Sequence, residues 1–263
     1  MDYQAIFFDF DGTLCSFKTH TVPKSAIEGI ERAQRRGVKV FLATGRHPLT
    51  FMQNDAAAAL SFDAYLTANG QYCYDSQKII HKMYIDPADK RALVKLLEHE
   101  SIPMLFQAQK EIYLSPAVET DSRVLAVNSV LSSMEAPAYP IERCLHEDVF
   151  TLMLYGGGVE ERRVLSVMPN TKAVRWHPLF ADLIPKCGGK DVGMDAMLAY
   201  YGIPLEATLA FGDAQNDIDM LRHAGLGVAM GNASSEVKAI ADMVTDSVDD
   251  DGVYKALERL GIC

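Results

Sequence analysis

Short apolar runs alternate, in the first part of the chain, with segments whose apolar residues recur at helical spacing. Three such runs predict buried strands: residues 5–8, 38–43 and 63–67. Residues 23–36 have helical spacing and end at Gly37, and Pro48 opens another helix. Strands that alternate with helices in this way are typical of a parallel sheet with helical crossovers.

The pattern changes after residue 70 and returns near residue 190. The middle part predicts a hairpin at 72–84, helices at 86–100, 118–132 and 159–166, and strands within 104–114 and at 151–155, 172–176 and 181–184. The last part predicts helices at 190–201, 218–223, 234–241 and 252–260, with strands at 208–211 and 227–230. We therefore expect a discontinuous parallel-sheet domain, 1–83 and 186–263, interrupted by an α+β domain at 84–185. Two short linkers around that insertion are the arrangement expected of a lid.

Two carboxylates follow the first apolar run directly. Asp9 and Asp11 stand one residue apart at its end, and Gly12 lets the chain turn away. In an open α/β sheet, ligands bind beyond the carboxyl ends of the strands, so both side chains are expected at that edge. A strand-ending turn is the plain alternative, since Asp-Gly is a common turn pair. A calcium loop does not fit, because the glycine and glutamate that an EF-hand requires are missing.

Other polar residues stand at the ends of neighbouring elements. Thr44 and Gly45 follow the second strand, where a hydroxyl and glycine amides suit a phosphate group. Lys190 opens a helix behind two glycines, a position that the helix dipole disfavours for a cation. Asp213 and Asp217 are four residues apart, one helical turn, so that both are able to face one ion. Each feature has a plain alternative: a turn for Thr44-Gly45, a solvated lysine for Lys190, and an acidic helix cap for Asp213 and Asp217. Together with Asp9 and Asp11, however, they make four polar sites at one edge of the sheet, which favours a catalytic role.

Phosphoryl transfer is the reaction that fits this set. One carboxylate attacks phosphorus and forms an acyl phosphate, which divides one difficult step into two. A hard divalent cation with oxygen ligands, for which Mg²⁺ is the first choice, neutralises the negative charges of the carboxylate and the phosphate as they approach each other. A second carboxyl protonates the leaving oxygen and then activates water, while a lysine and a hydroxyl hold the phosphate.

Composition limits the classes of molecule that the protein is expected to bind. The chain has 263 residues and a net charge of −10, which argues against nucleic acid and anionic membranes as partners. No signal peptide or apolar run of membrane-spanning length is evident. The five scattered cysteines, without a C-x-x-C pair, predict free thiols in a cytoplasmic protein. The expected partner is a small-molecule phosphate ester; the oligomeric state stays open, and a monomer is compatible with the sequence.

Four segments resemble, in order, the four motifs of the haloacid dehalogenase (HAD) superfamily: AIFFDFDGTL, LATGR, GGKDVG and FGDAQNDIDML. TANGQY, VAMGNA and the large insertion resemble its Cof-type branch, subclass IIB, which includes bacterial sugar phosphatases. The resemblance covers essentially the whole chain. It implies a Rossmann-like parallel-sheet core with an inserted α+β cap of the C2 type.

The resemblance also implies roles for individual residues. Asp9 corresponds to the nucleophile and Asp11 to the general acid/base. The phosphate- and substrate-binding set is Thr44, Gly45, Arg46, Asn69, Lys190 and Asn216. The magnesium set is Asp9, the backbone carbonyl of Asp11, Asp213 and, in support, Asp217. The family often has Ser or Thr before the lysine, where this chain has Gly189, so Lys186 is a fallback for Lys190.

The leading hypothesis is therefore a Mg²⁺-dependent phosphatase of small esters, with sugar phosphates as the class that the resemblance implies. A phosphomutase or phosphotransferase that uses the same aspartyl phosphate is the alternative. A receiver-like signalling domain is disfavoured, because it would place its phosphorylated Asp after a later strand and would need neither Asp11 nor the large insertion. A non-catalytic phosphate-binding protein is disfavoured, because no motif residue is missing. Within the insertion, His177 and Asp182 lie near Trp176 and suit a polyhydroxy ring, with a solvated loop as the plain alternative for both.

Overall fold

The structure, a computed structural model, describes residues 3–52, 54–131, 138–177 and 179–263, and these form two compact units. The main unit comprises Met1–Arg46, Phe51–His81 and Gly189–Cys263, and the inserted unit comprises His47–Thr50 and Lys82–Gly188. The sequence pattern places the insertion at 84–185. In the structure the inserted unit begins at Lys82, ends at Gly188 and also takes in His47–Thr50, which nothing in the pattern predicts.

The strands, in chain order, are β1 Ala5–Phe8, β2 Lys39–Ala43, β3 Ala64–Thr67, β4 Tyr72–Asp75, β5 Ile79–Lys82, β6 Met104–Ala108, β7 Ile112–Leu114, β8 Ala138–Pro140, β9 Val149–Tyr155, β10 Thr171–His177, β11 Phe180–Pro185, β12 Thr208–Gly212, β13 Leu226–Ala229 and β14 Met243–Val244. The helices are α1 Lys24–Arg35, α2 Pro48–Met52, α3 Pro87–Leu97, α4 Ser122–Leu131, α5 Gly158–Leu165, α6 Lys190–Tyr201, α7 Ile218–His223, α8 Ser235–Ile240 and α9 Gly252–Arg259.

The sheet of the main unit has the order β14-β13-β12-β1-β2-β3-β4-β5. Its first six strands pair in parallel, whereas β4 turns back antiparallel to β3. β1 lies at the centre, between β12 and β2, and its four residues are fully buried. The carboxyl ends of β12, β1, β2 and β3 therefore meet at one edge, and the predicted α/β fold class is confirmed.

Apolar layers cover both faces of this sheet. Along β1, Ile6 and Phe8 pack on the side of α1 and α9, and Phe7 packs on the side of α6. Phe8 stacks on Phe211 of β12, and Phe7 lies against Phe41 of β2. A strand buried on both faces is apolar at successive positions, which explains why the sequence shows a run here and not an alternation.

The inserted unit has its own six-stranded sheet, ordered β10-β11-β9-β6-β7-β8. Residues of α3 and α5 pack on one face around Phe106, Leu152 and Leu154, and Val124 of α4 packs on the other face near Met153. The start of α3 is capped, because the Asp86 carboxylate accepts the backbone N–H groups that follow it.

Predicted and observed elements differ mainly at their ends. The helix predicted at 86–100 ends at Leu97, and the helix predicted at 118–132 is a 3₁₀ turn followed by α4. β8 and β14 are too short to give a pattern and are not predicted. Among the described residues, no helix combines the length and the apolar character that crossing a bilayer requires.

Candidate active site

The candidate site begins where β1 ends. Asp9 continues the ladder by donating its backbone N–H to the carbonyl of Phe211 at 3.0 Å, and its side chain is almost completely buried. Beyond Asp11 the chain closes a tight loop, in which the carbonyl of Phe10 accepts the N–H of Leu14. The strands parallel to β1 on either side, β12 and β2, bring the polar groups that follow them to the same edge of the sheet, as the sequence pattern predicts.

Lys190 supplies the cation that contacts Asp9. It is the first residue of α6, it is buried, and its Nζ lies 2.6 Å from Asp9 Oδ1 and 2.5 Å from Asp217 Oδ1. Burial alone would lower the pKa of this ammonium, but Asp217 and Asp9 outweigh burial and raise that pKa. The fallback candidate, Lys186, is exposed and belongs to the inserted unit, and the contact with Asp9 that the structure shows is made by Lys190.

A close backbone approach brings Lys190 to this place. At Gly70 an added Cβ would lie 2.3 Å from the carbonyl oxygen of Gly189, the residue before the helix. Only glycine at position 70 allows this packing, and its φ of +84° also favours glycine. The turn at 68–70 and the start of α6 therefore touch directly.

Asp213 and Asp217 meet in a different way from the predicted helical turn. Asp213 follows β12 in a loop, and Asp217 ends a short 3₁₀ turn. Asp217 Oδ2 accepts the backbone N–H groups of Asp213 and Ala214, each at 3.0 Å, while Oδ1 accepts from Lys190. The helical-turn prediction is therefore wrong: a fully buried carboxylate needs hydrogen-bond partners, and this loop folds back to provide them.

Two further residues hold Asp213. The Thr13 hydroxyl donates to Asp213 Oδ1 at 3.0 Å, and Asn232 Nδ2 lies 3.3 Å from Oδ2 and 2.8 Å from the carbonyl oxygen of Gly12. Sequence reasoning assigned no role to either residue. Asn232 does stand in the segment that follows β13. Its place beyond a strand end could therefore have identified it in the sequence as a candidate site residue.

Three carboxylates come together here against one ammonium. Oxygen atoms of Asp9, Asp213 and Asp217 lie within 4.8 Å of one another. Burial first, and then the charge of Asp217, raise the pKa of Asp9 to about 8 in spite of Lys190. Burial and the charges of Asp9 and Asp217 likewise raise the pKa of Asp213 well above its usual range. Such a surplus of buried negative charge, carried by oxygen donors, fits a hard divalent cation.

The Asp11 carboxylate is bound by Arg46. Arg46 donates from Nε to Asp11 Oδ2 and from Nη2 to Asp11 Oδ1, both at 2.7 Å. The side chain that the sequence assigns to phosphate binding is thus bound to the general acid/base candidate. The Asp11 backbone carbonyl remains a predicted metal ligand.

Thr44 lies buried at the end of β2. Its hydroxyl oxygen accepts the backbone N–H of Arg46 at 3.1 Å, which leaves the hydroxyl hydrogen to donate elsewhere. Its carbonyl accepts the N–H of Asn69 at 3.0 Å. Thr44 and the half-buried Gly45 therefore lie in a loop that the neighbouring strand end supports.

Asn69 and Asn216 are joined, since Asn216 Nδ2 donates to Asn69 Oδ1 at 3.0 Å. Asn69 lies in a turn in which three successive residues, Ala68, Asn69 and Gly70, have positive φ angles of 52°, 55° and 84°. The buried Gln71, to which the sequence assigned no role, donates from Nε2 to the Asn69 carbonyl at 3.0 Å. Backbone strain of this kind clusters at functional sites.

His177 and Asp182 lie in the inserted unit, at the end of β10 and within β11. The His177 ring stacks on Phe180 with 5.1 Å between centroids, and burial, then Arg175, lower its pKa. Asp182 is buried opposite Met153 of β9. Neither residue lies in a solvated loop, and their role in recognition stays a prediction. The side chain of Trp176 lies outside the described part of the structure.

Comparison with known proteins agrees with this geometry. A family profile of haloacid dehalogenase-like hydrolases matches residues 6–257. YkrA of Bacillus subtilis (strain 168), which carries a provisional phosphatase name, is 32% identical over 264 residues, covering 100% of this chain and 99% of that protein. The pyridoxal phosphate phosphatase YbhA of Escherichia coli (strain K12) is 29% identical over 275 residues, covering 94% of this chain and 97% of that one.

Solved structures give the same result. The HAD subclass IIB sugar phosphatase BT4131 is 37% identical, with a TM-score of 0.89 over 99% of this chain and 100% of that one. BT1666 from Bacteroides thetaiotaomicron, a HAD superfamily phosphatase, is 31% identical, with a TM-score of 0.89 over 99% and 96%. The chain therefore belongs to the haloacid dehalogenase superfamily, in its Cof-type, subclass IIB branch, and is a phosphatase.

Proposed function

We propose that this phosphatase hydrolyses small phosphate monoesters, sugar phosphates foremost, through a phosphorylated Asp9 and with the help of Mg²⁺. One observation carries the proposal. Asp9 is buried, has one oxygen held by Lys190, and lies within a few ångströms of two further carboxylates. The proposed nucleophile, a cation that fixes it and oxygen donors that suit a divalent cation thus lie together at one strand end.

The donor set suits Mg²⁺, because carboxylate oxygens are the ligands that this ion prefers. Asp9 and Asp213 would hold it directly. Asp217 has three hydrogen bonds already, two from the backbone and one from Lys190, so it serves mainly to support the site. When bound, the ion neutralises the carboxylates and the phosphate so that they are able to approach each other.

The side chains of this chain then divide the work of two steps. Lys190 holds Asp9 Oδ1, so the other oxygen, Oδ2, attacks phosphorus as the bond to the leaving oxygen breaks. Asp11 gives its proton to that leaving oxygen. In the second step Asp11 takes a proton from water, the water oxygen bonds to phosphorus, and the Asp9 carboxylate is released with inorganic phosphate. Lys190 and the Thr44 hydroxyl stabilise the phosphate charge.

Sugar phosphates are proposed because the related BT4131 is a sugar phosphatase and shares 37% of its residues over nearly the whole chain. YbhA, a phosphatase of pyridoxal phosphate, shows that relatives of similar length act on other small esters. All five cysteines are free thiols, which supports a reducing compartment such as the cytoplasm.

A panel of phosphate esters tests the proposal. Purified protein with Mg²⁺ is assayed for released phosphate on hexose and pentose phosphates, pyridoxal phosphate and an aryl phosphate, with and without EDTA. We expect release of phosphate from several sugar phosphates and its loss in EDTA. Isomerised product without released phosphate would show a mutase instead, and full activity in EDTA would refute a metal-dependent reaction.

A further inference from the structure

Asp11 and Arg46 form an ion pair at this edge of the sheet. Both oxygens of one carboxylate accept from two nitrogens of one guanidinium, each at 2.7 Å. Both side chains are largely buried, with 12% of Asp11 and 15% of Arg46 exposed. Paired hydrogen bonds between two planar groups set orientation as well as distance.

Arg46 is itself fixed by three other contacts. Its backbone N–H donates to Thr44 Oγ1 at 3.1 Å, and its carbonyl accepts the N–H of Ala68 at 2.9 Å. Its guanidinium lies over the ring of Phe10, 5.7 Å from the centroid, which favours a cation at that place. The strained turn that follows β3 therefore holds the backbone from which the guanidinium reaches Asp11.

We infer that Arg46 is a positioning residue for Asp11 and not a ligand of the substrate phosphate. The inference rests on the proposed function, in which Asp11 is the general acid/base. A carboxyl group has two lone pairs on each oxygen, and the guanidinium uses one on each. The remaining lone pairs of the Asp11 carboxyl group thereby point to one side of it. The leaving oxygen, and later the water, must lie within hydrogen-bond reach on that side.

The two roles of Arg46 differ in what they predict for the leaving group. An alkyl ester releases a strongly basic oxygen that needs a proton, whereas an aryl phosphate releases a weak base that needs little help. If Arg46 positions Asp11, its loss slows alkyl esters selectively. If Arg46 binds phosphate, which every ester carries, its loss weakens all substrates and inorganic phosphate alike.

The test measures kcat/KM for a sugar phosphate and for 4-nitrophenyl phosphate in Arg46→Ala and Arg46→Lys. For Arg46→Ala we expect a fall of about 100-fold on the sugar phosphate and less than about threefold on the aryl ester. Inhibition by inorganic phosphate should stay unchanged. The kcat/KM values of Arg46→Lys should be close to those of Arg46→Ala, because the lysine ammonium does not span both oxygens of the Asp11 carboxylate. Added guanidinium should restore part of the lost activity to Arg46→Ala.

Arg35→Ala is the matched control, since Arg35 is exposed near the end of α1. Unfolding midpoints of all variants show whether a loss of activity is a loss of folding. Arg46→Ala added to Asp11→Asn should lower the rate no further, because the positioned group is already gone.

Equal losses on both substrates, with weaker inhibition by phosphate, would overturn the inference and make Arg46 a phosphate ligand. Wild-type rates in Arg46→Lys would also overturn it. Failure of the proposed function gives a different result: Asp11→Asn would then keep its activity on the sugar phosphate, whatever the Arg46 variants do.

Discussion

His47 shows how a single buried side chain fixes its own protonation. Its Nδ1 accepts the backbone N–H of Leu49 at 3.2 Å, and its Nε2 lies 2.6 Å from the carbonyl oxygen of Ala108. The ring must therefore carry its proton on Nε2, and a second proton on Nδ1 would face another donor. Burial lowers the pKa of His47 to about 4, although the bond to Ala108 opposes the shift.

This histidine should make the protein sensitive to acid. Because its folded pKa lies below the unfolded value of 6.5, the unfolded chain binds more protons between the two. The contribution of His47 is complete above about pH 6.5 and is lost as pH falls through about 4, up to ~3 kcal/mol in all. His47→Gln keeps a donor for Ala108 and should flatten this dependence in urea unfolding at pH 7, 6 and 5.

His99→Gln is the control, since His99 is exposed after α3. That variant should keep the wild-type slope of unfolding free energy against pH. An unchanged slope in His47→Gln would show that His47 does not carry the acid sensitivity.

At the scale of elements, the active site depends on one turn that packs against the start of one helix. Residues 68–70 have positive φ angles, and Gly70 touches the backbone of Gly189 beside Lys190. Any side chain at position 70 must displace the start of α6, and this displacement moves Lys190 away from Asp9. The packing of these two elements therefore decides the position of the cation.

Gly70→Ala and Gly37→Ala separate this contact from backbone strain. Both glycines have a φ of +84°, but an added Cβ meets nothing within 4 Å at Gly37. Gly37→Ala should cost about 1 kcal/mol of unfolding free energy from its φ alone and keep its activity. Gly70→Ala should cost more by about 2 kcal/mol and lose most turnover. Equal costs and equal activity in the two variants would contradict this account.

Elements were the part of the structure that the sequence predicted best. Buried parallel strands read as apolar runs, and α6 begins and ends at the predicted residues, Lys190 and Tyr201. The pairing of Arg46 with Asp11 could not be predicted, because 35 residues separate them and only the folded sheet brings them together. Asn232 was missed although it follows a strand end, because only the fold brings it to Gly12 and Asp213. Gln71 was missed because only the conformation of the turn at 68–70 directs it to the Asn69 carbonyl. The predicted helical turn at Asp213–Asp217 overlooked what a buried carboxylate requires.

At the scale of the whole molecule, the chain separates two tasks. The groups that suit phosphate and metal all lie in the main unit, and they are common to every phosphate ester. Such contacts do not discriminate between leaving groups. Recognition of the rest of the substrate is therefore expected of the inserted unit, where His177 and Asp182 are the predicted residues.

Single substitutions in the inserted unit test that expectation. His177→Ala and Asp182→Asn should raise KM for sugar phosphates several-fold and largely spare a generic aryl phosphate, because both side chains are predicted to contact the sugar and not the phosphate. Asparagine is used at position 182 because the carboxylate is buried and its removal would leave a cavity. Equal losses on both substrates would show that these residues serve the structure of the inserted unit.

The phosphorylated Asp9 is the central claim, and trapping it is the most direct measurement. Asp11→Asn lacks the group that activates water, so the acyl phosphate should persist long enough for an acid quench. Mass spectrometry of the peptide that contains Asp9 should then show one added phosphoryl group, and Asp9→Asn should show none and lose on the order of 10³-fold or more in kcat. A phosphoryl group on any other residue, or near wild-type turnover in Asp9→Asn, would contradict the account.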